Sequence, residues 1–207
     1  MCGLPEPYLL KSTAELYQQL SRRNYYVILE DGDEFQLRFP TGNYHHFVGL
    51  HKFSDIAEVT IDKPKKRTAK SIYQDILHGN ITEYDLQRSR HYNADVISDR
   101  LMAFLHIEDL LCEGAYVIVS YEESALPFRS CINGDLLLFR MTITLTIGAT
   151  YMHLFFRKDI NCGYYFPISF FEYVGDAYIR NQRQYGIRSI VVTTRNHNTR
   201  KLEGGRI

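Results

Sequence analysis

The chain has 207 residues, 45% of them hydrophobic and 23% charged, which excludes a disordered or collagen-like polymer and suits one globular domain with a real core. Its 24 Lys and Arg balance its 24 Asp and Glu, so it lacks the positive excess that non-specific coating of nucleic acid requires; a cleft gripping a few phosphates needs no such excess. The 16 Tyr and 12 Phe, with no Trp, favour strands and ring-rich surfaces.

Apolar runs such as Val117–Val119 and Leu136–Phe139 fall far short of the roughly 20 residues of a membrane span. The first residues, Met1 to Pro7, have neither the basic start nor the apolar stretch of a signal peptide. Cys2, Cys112, Cys131 and Cys162 are scattered and form no C-x-x-C pair, as expected of free thiols in a reducing cytoplasm. The expectation is a soluble cytoplasmic protein without a membrane partner.

In chain order, Ser12-Thr13-Ala14-Glu15 has capping-box spacing and predicts a helix from Ser12 to about Ser21. Tyr25–Glu30, the turn Asp31-Gly32-Asp33, and the alternating Glu34–Phe39 predict a hairpin. Thr68 can cap a helix that runs to about His78 and stops at Gly79, and Thr82-Glu83-Tyr84-Asp85 can open a short one. Asp95 can cap a longer helix from Val96 to about Leu111. Strands follow at Ala115–Tyr121, Arg140–Ile147, Tyr151–Lys158 and Tyr164–Phe166, then a helix from Ser169 and a last strand at Arg188–Thr194. The fold class is α+β: an N-terminal helix and β-hairpin, central helices, then a mainly antiparallel sheet. On this reading residues 1–194 form a single domain and 195–207 a basic, flexible tail.

Several constellations bear on chemistry. His45, His46 and His51 lack the H-E-x-x-H or C-x-x-C spacing of a zinc site, so neither metal nor cofactor is expected. His46, beside a turn at Gly49, suits a general acid or base, and equally a hydrogen-bonded structural histidine. Ser169, in Ser-x-x-Glu with Glu172, reads as a helix N-cap, and a helix start with a free hydroxyl also suits a phosphate. Tyr151, His153 and Arg157 share one face of a strand, which is either half-solvated or a bed for single-stranded RNA. Lys63, Lys65, Lys66, Arg67 and Lys70 form the densest basic cluster, a solvated loop or a grip on RNA phosphates. No Walker A, G-x-G-x-x-G or G-x-S-x-G sequence occurs.

Asn43-Tyr44-His45-His46-Phe47-Val48-Gly49-Leu50 resembles the N-F-x-H-L-x-G-L segment of a phage- and mobile-element-associated family in the barnase–EndoU–colicin–RelE (BECR-fold) nuclease superfamily. The helix Ala69–Leu77 with Gly79 resembles that family's A-x-x-F-Y-x-x-L-x-x-G-x-L stretch, with Ile81 for the last leucine. Arg100-Leu101 stands where a Lys-Leu pair begins the long helix, and Phe155-Phe156-Arg157-Lys158 with Pro167-x-Ser169 resembles the closing pattern. The resemblance covers about Lys11 to Tyr178. Val48 departs from it, in a place where a small hydroxyl residue is common.

The resemblance implies metal-independent RNA cleavage by 2′-OH attack, leaving a 2′,3′-cyclic phosphate. It puts His46 as acid or base, Arg100 and Arg157 on the phosphate, Ser169 as hydrogen-bond donor, and His153 or Tyr151 as second proton carrier. The expected partner is RNA, with a host defence protein or a cognate inhibitor as further candidates. The expected role is that of a toxin, or of an agent against host defence acting on a tRNA or a CRISPR guide RNA. The alternative is a non-catalytic RNA- or protein-binding inhibitor on the same scaffold.

Overall fold

Helix α1 (Leu9–Ser21) begins ahead of the expected Ser12 cap, and Ser12 lies inside it. Its N-cap, Tyr8, makes no side-chain capping bond. The Leu10 N–H is instead taken by the buried carboxylate of Glu83, from the short helix α4 (Glu83–Leu86). An acid near a helix N-terminus satisfies its exposed N–H groups whichever part of the chain supplies it, so the spacing around Ser12 misleads. The computed structural model describes residues 8–112, 115–122, 124, 126, 132, 134–144 and 148–195.

The hairpin forms as expected: β1 (Arg23–Leu29) pairs antiparallel with β2 (Glu34–Leu37), with Val27 opposite Phe35. A 3₁₀ turn (Thr41–Asn43), α2 (Tyr44–Phe47) and a second 3₁₀ turn (Leu50–Lys52) follow. Helix α3 (Ala69–Leu77) is capped by Thr68, whose side chain accepts from the Ser71 N–H while Ser71 Oγ accepts from the Thr68 N–H. Helix α5 (Ala94–Phe104) is shorter than expected. Leu105 and His106 bond back to Met102 and Ala103, tightening the end, and a separate 3₁₀ turn (Ile107–Leu110) carries the remaining apolar residues into the core.

Strands β3 (Tyr116–Val119), β4 (Leu136–Thr144), β5 (Gly148–Lys158), β6 (Tyr165–Val174) and β7 (Tyr185–Thr194) complete a closed barrel in the order β1-β2-β6-β5-β4-β3-β7. Its pairs are antiparallel except β2 with β6. The expected end of β4 at Leu145–Ile147 and the tail beyond Arg195 lie outside the described residues.

The helix expected from Ser169 is absent: Ser169 and Glu172 belong to β6, which pairs along its length with β5. Pro167, just past the expected strand end at Phe166, faces Phe156 while Ser169 faces Phe155, so Ile168 is an extra residue in a bulge. A bulge is where a strand tolerates proline, and it bends the strand and re-aims its side chains. The β2–β6 seam is also slight, with Leu37 opposite Tyr165 as its register pair and the Arg38 N–H donating to the Tyr165 carbonyl. Beyond that point the edge of β6 meets the 3₁₀ turn, α2 and α5 instead of a strand.

The main core lies between the helices and the barrel. Tyr17, Tyr44 and Tyr73 are fully buried in it, and each sends its hydroxyl to a backbone carbonyl: Pro40, Leu10 and Ala14 respectively. These three tyrosines are therefore core material with a satisfied polar tip. A second cluster (Ile118, Tyr121, Leu137, Phe139, Phe155, Ile179) covers the opposite face of the sheet. This corrects the expected solvated or RNA-bearing face: Tyr178 and Phe171 pack over His153, which is fully buried.

Candidate active site

Where β2 and β6 part, a cleft of about 730 Å³ opens. The chain leaving β2 supplies one wall. The turn at Gly42 and Asn43 is tied to β6 by the Asn43 amide donating to the Pro167 carbonyl at 3.4 Å, and α2 follows directly. Adjacent histidines on that short helix must point apart. His45 turns inward, its Nε2 2.6 Å from the Val59 carbonyl, and burial lowers its pKa. His46 turns into the cleft.

Gly49 then takes a left-handed conformation (φ 85°) and reverses the chain. The reversal lays His51 against His46, ring centroids 4.0 Å apart and planes within 22°. Lys52 comes into the cleft beside them. Arg100 reaches in from α5, its Nη1 so close over Gly49 that a Cβ there would lie 3.0 Å from it. Gly49→Ala therefore meets both a left-handed backbone and a displaced guanidinium. We expect a loss of about 1–2 kcal/mol of stability, read by urea denaturation, together with weaker anion binding.

Arg157, at the end of β5, and the bulged stretch of β6 supply the other wall, with Ser169 beside Ile168. The electrostatics are one-sided, since among the described residues no Asp or Glu lines the cleft. Burial lowers the pKa of His46, and the charges of Arg157, Arg100 and Lys52 lower it further. Burial, His46 and Lys52 chiefly push His51 down to about 4. Lys52 is lowered by burial and Arg100, and Arg100 by burial. Arg100, Arg157 and Lys52 gathered on one cleft favour an anionic ligand, and the arrangement suits a phosphodiester.

A family model described as phage-Barnase-EndoU-ColicinE5/D-RelE like nuclease4 matches residues 9–203. The chain belongs to this family. The assignment carries a nuclease-like catalytic role and agrees with the observed order of helix, hairpin, central helices and mostly antiparallel sheet. No curated protein and no solved structure matches the chain.

On this nuclease scaffold, four residues singled out in the sequence share the cleft: His46, Arg100, Arg157 and Ser169. His153 does not reach it. Burial holds its pKa down to about 4, outweighing the smaller upward pull of the Tyr151 backbone carbonyl. Tyr151 lines a separate cavity with Met141 and Ile179. The basic cluster also stands apart. Lys65 pairs with Asp62 at 3.1 Å; Arg67 pairs with Asp75 at 3.1 Å and donates to the Glu58 carbonyl. None of Lys63, Lys65, Lys66, Arg67 or Lys70 lines the cleft.

His51 and Lys52 enter the site although neither was singled out for catalysis. The readable signal was Gly49, since a left-handed turn between two histidines folds their side chains together. Among the described residues no group of three or more His, Cys, Asp or Glu side chains is placed to hold a metal ion. Among the described residues no helix is long and apolar enough to cross a membrane.

Proposed function

We propose that this nuclease is an RNA endonuclease that uses the ribose 2′-OH as its nucleophile. The reading is carried by the convergence of His46, His51, Lys52, Arg100, Arg157 and Ser169 on one cleft. The 2′ oxygen attacks the adjacent phosphorus, its proton passes to an imidazole, and the P–O5′ bond breaks. The departing oxygen takes a proton from the other imidazole, leaving a 2′,3′-cyclic phosphate and a 5′-OH.

His46 and His51 carry the two proton transfers. Arg100, Arg157 and Lys52 hold the phosphate oxygens and stabilise the charge that builds on them, and Ser169 donates a further hydrogen bond. No step is assigned to a metal. The biological setting that fits the family is a phage or mobile element turning the enzyme on a structured RNA. A tRNA and a CRISPR guide RNA are the first substrates to try, the enzyme serving as a toxin or against host defence.

Incubation of the purified protein with these RNAs in excess chelator should give cuts ending in cyclic phosphate. An oligonucleotide lacking the 2′-OH at the cleavage position should stay whole. Cuts ending in 3′-OH, or cutting of the 2′-deoxy substrate, would reject this chemistry. Tight binding without any cutting would favour the inhibitor reading instead.

A further inference from the structure

The cationic side of the cleft does not account for its volume. Facing it is a wall of rings and apolar groups: Ile168, Phe171, Tyr173 and Tyr178. Pockets of this size that carry charge on one side and apolar surface on the other suit a ligand with both characters. The wall is rigid. His153 lies directly across from Phe171 in the β5–β6 pairing, ring centroids 5.3 Å apart and planes within 17°, and Phe155 stacks on Phe171 at 5.7 Å and 17°.

Tyr178 leans on Phe171 at 5.2 Å and meets Tyr173 edge-on at 5.1 Å and 88°. Buried rings behind thus hold in place the rings that face the cleft, and Tyr173 remains 37% exposed. Against solvent alone this would be an odd place for three aromatic side chains.

We propose that the Phe171–Tyr173–Tyr178 wall is a base-stacking subsite, which takes one unpaired nucleobase next to the phosphate held by Arg100 and Arg157. The inference rests on the nucleic-acid reading of the cleft and narrows it. A base can lie on a protein ring only when it has left its own helix, so the site selects single-stranded or looped nucleotides over paired ones. Rings accept every base face, so this wall gives preference for an unpaired base and little choice among bases. Tyr173 and Tyr178 do the contacting, while Phe171 and the buried His153 position them.

The test measures binding by fluorescence anisotropy, using short oligonucleotides without 2′-OH groups so that cleavage cannot intervene. The intact single strand, the same strand with abasic sugars, and a blunt duplex are compared on the full chain. Wild type should bind the intact strand about 5- to 150-fold more tightly than the abasic one. Tyr173→Ala with Tyr178→Ala should remove that preference while leaving abasic binding in place; Tyr173→Phe with Tyr178→Phe should keep it.

Circular dichroism on the alanine pair separates loss of the subsite from loss of the fold, and Tyr173→Ala alone, at the exposed position, gives a milder version of the same shift. Equal binding of intact and abasic strands by wild type would overturn the subsite, as would a preference that survives in a folded alanine pair or binding of neither strand. Base-dependent binding by a protein that cuts no RNA would keep the subsite and reject the nuclease chemistry, so the two failures are distinguishable.

Discussion

Replacing His46 with alanine should lower kcat for RNA cleavage by about 10²- to 10⁴-fold, the usual range for a positioned proton-transfer group. Substrate binding should change little, because the proposed phosphate contacts come from Arg100, Arg157 and Lys52, which the substitution leaves in the cleft. His51→Ala should be nearly as damaging. Since both rings serve one reaction coordinate, the double variant should be hardly worse than either single one.

The pH dependence follows from the same crowding. In the free enzyme the pKa of His46 is lowered and that of His51 lies at about 4, so kcat/KM should follow a bell centred below the ordinary histidine value of 6.5. A bound phosphate offsets the Arg and Lys charges and favours the protonated imidazole. The kcat profile, which reports the complex, should therefore lie at higher pH. Full activity in His46→Ala would remove that ring from the mechanism. Coincident kcat and kcat/KM profiles would remove the phosphate coupling.

What was legible in the sequence was local. The Tyr25–Phe39 hairpin carries its turn residues between alternating runs, and Thr68 with Ser71 closes a cap within one helical turn. Both are decided by neighbours in the chain. The misread elements were decided by distant partners. Leu10 is capped by Glu83, and Ser169 is drawn into a strand by its pairing with β5, against a local pattern that reads as a helix start. A strand with Pro167 inside it looks broken until the bulge at Ile168 is seen to absorb the proline.

The site shows the same division. His46 was visible through its neighbourhood, but its pairing with His51 depends on the left-handed turn at Gly49. Two-residue spacing correctly put Tyr151, His153 and Arg157 on one side of a strand but could not say what covers that side. Residues after β6 return to bury His153, whereas Arg157 lies past the bulge, opposite Phe166, and opens onto the cleft. A polar residue at an alternating position is exposed only if nothing later in the chain packs on it.

That burial makes His153 the centre of the second large expected effect, which is on stability. The folded protein keeps the ring neutral among Phe155, Phe171 and Tyr178, with its pKa lowered from 6.5 to about 4, chiefly by loss of water. The unfolded chain takes a proton below about 6.5. Folding stability is therefore fully present above that value, declines as pH falls from about 6.5 to about 4, and stops declining below the folded pKa. At about 1.4 kcal/mol per unit, this one group accounts for a loss of roughly 3 kcal/mol across the window. His153→Phe replaces it with a ring that cannot take the proton. Near pH 7 the variant should be within about 1.5 kcal/mol of wild type, as suits a swap of similar shape in a ring-lined site. Urea denaturation at pH 7 and again near pH 4.5 should show wild type losing about 2–3 kcal/mol more than the variant, because contributions from carboxylates cancel in the comparison. Parallel losses in both proteins would mean that His153 is reached by water or a proton partner. In that case the rings of the cleft wall would not rest on a dry, neutral support.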